Sequence, residues 1–214
     1  SAPSSAFGSA VSIDGGYAVV GAMNDEYLGA NVGAAHVFVW NGTKWIHETL
    51  LRGTDLAGGY EFGHSVAVSG TTILVSASRF LLGGGAGGAG KAYLYERISG
   101  VWQLRDEFLA LDEEISGEFG WSVALGDGAA LVTDNYYDGP EGDTGRAYVF
   151  TRDALGDWAK SFTLEASDAQ FWDGFGSWIA ISGESVVVGA SGDDDEGNIA
   201  GAAYTFELDL EDDA

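Results

Sequence analysis

Apolar residues in this chain come in short runs separated by Gly, Ser, Asp or Asn. Ser65-Val66-Ala67-Val68, Ile73-Leu74-Val75-Ser76-Ala77, Ala92-Tyr93-Leu94-Tyr95 and Val101-Trp102-Gln103-Leu104-Arg105 are typical. Each run is rich in β-branched and aromatic side chains, and no segment sustains a helical period, so strands are expected throughout. Asp14-Gly15-Gly16, Ser69-Gly70-Thr71, Gly126-Asp127-Gly128 and Ser182-Gly183-Glu184 read as tight hairpin turns. Asn41-Gly42, Ser99-Gly100 and Leu155-Gly156 supply a second reversal. Between those two reversals runs a longer, glycine-rich and mostly acidic connection.

The pattern repeats. Phe-Gly stands at Phe7-Gly8, Phe62-Gly63, Phe119-Gly120 and Phe175-Gly176. At a constant offset follow Val19-Val20-Gly21-Ala22, Leu74-Val75-Ser76-Ala77, Leu131-Val132-Thr133-Asp134 and Val187-Val188-Gly189-Ala190. A third marker begins at Gly33, Gly90, Gly145 and Gly201, and three units end on Trp45, Trp102 and Trp158. Four markers in one order at one period define units of about 7–61, 62–118, 119–174 and 175–210 within a single region spanning 1–214. Each unit reads as a four-stranded antiparallel sheet too small to bury both faces alone, which is what a β-propeller blade requires. The fourth unit, ending Glu207-Leu208-Asp209-Leu210, lacks the outer Trp strand.

Composition narrows the function classes. With 33 acidic against 9 basic side chains the formal charge is −24, and the few Lys and Arg are scattered, so nucleic-acid binding and attraction to an anionic membrane are excluded. A hydrophobic content of 46% suits a buried core rather than disorder. There are 34 Gly and no Cys, which implies many tight turns and excludes disulfides, thiolate zinc sites and thiol nucleophiles. No apolar run approaches a membrane span. The start, Ser1-Ala2-Pro3-Ser4-Ser5-Ala6, has no charged n-region or apolar h-region, so a signal peptide is expected to have been removed or to lie outside this chain.

Phe-Gly, then Ser-Val-Ala, then Val-Val-Gly-Ala, then Gly-Ala-x-Tyr-x-Phe resembles the FG-GAP repeat, the blade unit of the integrin α-subunit N-terminal propeller and of many extracellular proteins. The resemblance spans residues 7–206 and implies an all-β propeller outside the cell. It implies little about function, because this blade serves adhesion, structural arrays, sugar binding and occasionally hydrolysis. Three departures matter. The Pro of the family name is replaced by Met23, Ser78, Asn135 and Ser191. The integrin-type calcium loop would sit between the first two strands, where this chain has only a short turn, so that motif does not carry over. Family propellers usually have seven blades, whereas this chain holds four units. It is expected to be part of a longer array; completion by a partner chain, or closure of four blades, remain the alternatives.

The acidic connections supply the candidate metal ligands, Asp134, Asp138 and Asp143 in the third unit and Asp193 and Asp195 in the fourth, because calcium wants six to eight oxygens. Glu141, Asp194 and Glu196 extend these clusters, and Asn24, Asp25 and Glu26 form a smaller one; the second unit, around Gly83-Gly84-Gly85, has no acid. A solvated acidic loop competes with the metal reading throughout, since divalent cations would relieve self-repulsion without any specific site. Asp55, Asp112 and Asp168 recur seven residues before Phe-Gly and are expected to bond nearby backbone N–H groups. Trp45, Trp102 and Trp158 read as packing residues. Trp121 and Trp178 are the candidates for stacking on a ligand ring, with Trp40 and Trp172 behind them. His36, His47 and His64 lack ligand spacing. Asn41-Gly42-Thr43 is a glycosylation sequon on a hairpin turn.

No nucleophile elbow or metallohydrolase signature is present, no catalytic residue is nominated, and a non-enzyme is expected. The leading expectation is an extracellular or cell-surface binding and assembly scaffold that meets a protein partner, or further blades, along an open sheet edge, supported by calcium. A glycan-binding module is the alternative, and a carbohydrate-active hydrolase ranks below it.

Overall fold

A computed structural model describes residues 5–26, 29–55, 59–79, 89–110, 117–126, 128–139, 142–153, 155–195, 197 and 200–210. Among them there is no helix; four antiparallel sheets form a four-blade β-propeller arrangement. Blade 1 contains β1 (Phe7–Asp14), β2 (Tyr17–Ala22), β3 (Ala34–Trp40) and β4 (Trp45–Leu51) in sequential order. Blade 2 repeats this with β5 (Phe62–Ser69), β6 (Thr72–Ala77), β7 (Lys91–Ile98) and β8 (Val101–Phe108). Blade 3 uses β9 (Val123–Leu125), β10 (Ala129–Asp134), β13 (Arg146–Arg152) and β14 (Trp158–Leu164), with a small ribbon of β11 (Asp138–Gly139) and β12 (Gly142–Asp143) inserted between β10 and β13. Blade 4 has three strands, β15 (Phe175–Ser182), β16 (Ser185–Ala190) and β17 (Ala202–Glu207). The short turns between first and second strands are as expected; the Asp14↔Tyr17 and Ser182↔Ser185 pairs close two-residue loops.

Phe-Gly recurs for a local reason. Ser9, His64, Trp121 and Ser177 donate their backbone N–H to the carbonyls of Ala6, Glu61, Glu118 and Gly174 at 3.0–3.1 Å, so Phe and Gly are the two central residues of a turn. The glycines have φ of 94°, 88°, 95° and 92°, the conformation that the third residue of a type II turn demands. In blades 1, 2 and 4 the register of the first strand shifts there, between Phe7 and Val11, Phe62 and Val66, and Phe175 and Trp178.

Successive blades stack face to face, and the three cores of the molecule are the three seams. Val19, Ala35 and Val37 of blade 1 meet Phe62, Val66, Ile73 and Tyr93 of blade 2. Ala67, Leu74 and Leu94 of blade 2 meet Phe119, Val132 and Tyr148 of blade 3. Leu131, Ala147 and Val149 of blade 3 meet Phe175, Ile179 and Val188 of blade 4. Alternation along each strand thus sends one set of side chains to the preceding blade and the other to the following blade. Among the described residues no comparable packing joins blade 4 back to blade 1.

The seams are also polar at their margins. Trp102 donates its indole N–H to Glu48 at 2.9 Å, and Arg97 meets the same carboxylate at 2.6 Å. Trp158 and Arg152 repeat the motif on Glu96 one blade later. The recurring Asp has side-chain partners beside the backbone N–H bonding expected for it, which Asp55 also makes. Asp55 accepts the Tyr93 hydroxyl and the Lys91 ammonium, both at 2.8 Å, and Asp168 accepts the Tyr204 hydroxyl at 2.7 Å. The Tyr93 ring is fully enclosed, so its hydroxyl needs an acceptor, and the linker Asp provides one. Burial works against the Asp55 carboxylate, yet these hydrogen bonds outweigh it and hold its pKa below the usual value. Asp112 lies outside the described residues.

Candidate functional site

The same repeat positions have opposite fates at the ends of the arc. Phe62, Phe119 and Phe175 are 0% exposed, whereas Phe7 is 48% exposed; Val66, Val123 and Ile179 are at most 9% exposed, whereas Val11 is 70% exposed. Ile13 and Trp45 are exposed beside them, so the face of blade 1 that would meet a preceding blade is bare. On blade 4 the uncovered face is the one that would meet a following blade. Val187 is 45% exposed where Val19, Leu74 and Leu131 are 0%, and Ala203 and Thr205 stand exposed in line with it. Uncovered apolar surface therefore lies on these two end faces, besides exposed residues elsewhere such as Phe171 and Trp172, and among the described residues β17 is the outer strand of a three-stranded sheet.

Blade 4 also carries a groove of about 380 Å³ lined by Trp178, Gly189, Ala190, Gly201, Ala202 and Ala203. Its equivalent on blade 1 is full. There a Cβ placed on Gly33 would lie 2.1 Å from the Phe62 carbonyl oxygen, and one on Gly21 would lie 2.1 Å from that of Gly63. Gly33 and Phe62 form a parallel bridge, as do Gly90 and Phe119. The groove thus lies where the internal seams seat a Phe-Gly turn.

A second cavity, about 110 Å³, opens between blades 3 and 4 and is lined by Asn135, Tyr136, Asp143, Trp172, Ser177 and Ser191 among others. Ser177 and Ser191 share a hydroxyl hydrogen bond at 2.8 Å. Asn135 is buried, and among the described residues its Oδ1 has no hydrogen-bond partner. Trp172 holds a positive φ of 72°; its N–H donates to the Asp143 carbonyl at 3.1 Å. Gly192 makes room for the Trp172 carbonyl, which would lie 2.1 Å from a Cβ at that position. This combination of an amide, two hydroxyls, a carboxylate and two exposed aromatic rings can hydrogen-bond and stack on a polar ring.

The five candidate metal ligands occupy separate settings. Asp138 and Asp143 are directly opposed across the β11–β12 ribbon, a like-charge pairing that disfavours the ribbon unless screened. Asp134 lies inside blade 3. Its Oδ1 accepts the backbone N–H of Glu118 at 3.0 Å and of Tyr136 at 3.2 Å, and burial, only partly offset by these bonds, pushes its pKa up to about 7. Asp193, also buried, accepts the Asp195 N–H and the Tyr204 hydroxyl, while Asp195 accepts the Gln170 amide. Among the described residues no three His, Asp or Glu side chains converge in a way that would hold a metal ion. Glu141, Glu196 and the glycine-rich stretch around Gly83 lie outside the described residues.

The two stacking candidates differ. Trp178 is 76% exposed at the groove, whereas Trp121 is half-buried against His64, ring centroids 5.1 Å apart, across the seam between blades 2 and 3. Asn41 lies exposed in its turn, and its Oδ1 accepts the N–H groups of Thr43 and Lys44 and the Thr43 hydroxyl. Sequence spacing did not anticipate that His36 Nδ1 and His47 Nε2 are 3.1 Å apart; their register on neighbouring strands β3 and β4 brings them together. Nor did it anticipate the Asn135 cavity, because the residues lining it come from two blades.

The family model described as FG-GAP repeat matches residues 1–38, 45–95, 102–150 and 158–206. No curated protein matches the chain.

Proposed function

The chain belongs to the FG-GAP repeat family, and from that premise we propose that it is an interaction scaffold working outside the cell, a propeller module that holds protein partners through the bare faces of blades 1 and 4. The supporting observation is the exposure of Phe7, Val11, Trp178 and Val187 at positions or on faces that the other blades cover. Contiguous exposed apolar surface of this kind marks interaction sites in soluble proteins, and the surrounding acidic surface keeps the molecule dispersed until a partner arrives. Calcium enters this reading as a screen for acidic pairs such as Asp138 and Asp143 rather than as the centre of a built site. A panel of extracellular proteins probed with the chain, with Val11→Glu/Ile13→Glu and with Val187→Glu tests the proposal. Hits lost with the blade 1 or the blade 4 variant are expected; hits indifferent to both, or none, would contradict the proposal.

The cavity at Asn135 favours a second reading, glycan binding, since Trp172 and Tyr136 flank hydrogen-bonding groups there. A glycan array read with the chain and with Trp172→Ala separates the two: retention abolished by that substitution supports the lectin reading, and absence of retention overturns it.

A further inference from the structure

We propose that the groove on blade 4 receives the Phe7-Gly8 turn of a second copy of this chain, so that copies join head to tail through a fourth seam like the three inside each molecule. This rests on the reading of the end faces as binding surfaces and names their occupant.

The chain carries both halves of the joint. In the internal seams the donor half is a Phe-Gly turn and the acceptor half is a strip of small residues. A Cβ on Gly33, Gly90 or Gly145 would lie 2.1, 1.7 or 2.0 Å from the carbonyl oxygen of Phe62, Phe119 or Phe175. A Cβ on Gly63 would likewise lie 2.4 Å from the Ala34 carbonyl oxygen of the preceding blade. At the ends both halves are present and vacant. Gly8 has nothing within 4 Å of a Cβ, and Gly201 meets only Ala190 and Ser191 of its own blade. Phe7 is exposed at one end and the groove is open at the other.

The surrounding side chains match as well. Val187, Ala203 and Thr205 are the blade 4 counterparts of Leu74, Ala92 and Leu94, which cover the following blade, and Val11 and Ile13 are the counterparts of the covered Val66 and Val68. Glu207 stands where Glu96 receives the Trp158 indole N–H, and Trp45 stands where Trp158 does. Among the described residues blades 1 and 4 show no packing comparable to that of the internal seams, and a second copy carries the matching half for each end. Such a contact uses two different patches, so it closes into a ring of copies where the rotation between them allows and otherwise grows into a chain of molecules. The formal charge of −24 opposes approach of like copies, so salt strengthens the association.

Sedimentation of the 214-residue chain at high and low salt reads this directly. The expected result is a mass that rises with concentration above that of the monomer and rises further with salt. Phe7→Asp removes the plug and Ala203→Trp fills the seat; each alone is expected to weaken association at least tenfold. Mixed, they are expected to give a one-to-one dimer that grows no further, since one variant supplies an intact groove and the other an intact turn. Ile13→Glu and Val187→Glu form a second pair with the same expected outcome, should either first variant melt early. A chain that stays monomeric throughout, variants that assemble like the parent, or a mixture that forms no dimer would overturn the proposal. If the chain is monomeric but retains hits that depend on Val11 and Ile13 or on Val187 in the protein panel, self-docking fails and the broader interaction reading stands; loss of both fails both.

Discussion

Blades 2 and 3 and the two end blades are built from one pattern, yet only the inner pair is covered on both faces. Phe119 sits in the seam between blades 2 and 3 with its ring against Tyr148 at 5.2 Å, while Phe7, in the same turn with the same glycine, stands half in water. The difference is not in the local sequence but in whether a neighbour is present. In a stacked repeat the energy of a residue belongs to an interface rather than to its own unit, so identical residues carry stability in the middle and binding capacity at the ends.

That contrast can be broken by substitution. Phe119→Ala should cost ~3–5 kcal/mol in urea unfolding, the range for a fully buried aromatic, whereas Phe7→Ala in the dilute chain should cost under ~1 kcal/mol. Equal losses would show that blade 1 is covered in solution. A Gly pair sharpens the comparison. Gly90 and Gly201 both have positive φ, 68° and 75°, so an Ala at either carries ~1–2 kcal/mol of backbone strain. Only at Gly90 does the new Cβ also collide with the next blade, so Gly90→Ala should lower the melting temperature much further than Gly201→Ala.

Blade 3 differs from the others at one buried position. Asp134 occupies the place of the fully buried Ala22, Ala77 and Ala190, and its pKa is pushed up to about 7 by burial. Because the folded protein then holds a proton that the unfolded chain has released, the stability tied to this group falls as pH rises from the ordinary carboxylate range toward 7, and changes no further above it. Asp134→Asn keeps an oxygen for the Glu118 and Tyr136 N–H groups and removes the charge. It should stabilise the protein by on the order of 1–3 kcal/mol near pH 8 and much less near pH 4. A melting curve unchanged at both values would show that the carboxylate is not buried as described.

The smallest effect concerns the acidic rim. At constant ionic strength, calcium and magnesium should raise the melting temperature alike and modestly, through screening of pairs such as Asp138 and Asp143. A rise with calcium alone would instead indicate a discrete site, since binding to the native state stabilises by mass action.

Blade number, strand order and the hairpin turns were legible because each depends on residues near in sequence and repeated at one period. The role of Phe-Gly was half legible: the recurrence was plain, but the turn and its seat on the preceding blade need the stacked geometry. Asp55 and Asp168 recur for a partner, the tyrosine hydroxyl of the next blade, that lies 36 or more residues away, so local turn reasoning missed it. Trp121 and Trp178 both flank Phe-Gly segments in sequence, yet His64 packs against one while the other is largely exposed. Their difference is set by what faces each blade, which no single repeat records.

The most direct test is hydroxyl-radical footprinting of the four equivalent phenylalanines within one chain, read across protein concentration. When dilute, Phe7 is expected to react far faster than Phe62, Phe119 and Phe175, and on concentration at high salt it is expected to fall toward their level. Protection of Phe7 equal to the other three at every concentration would contradict a bare end face and mean that the face of blade 1 is covered within a single chain.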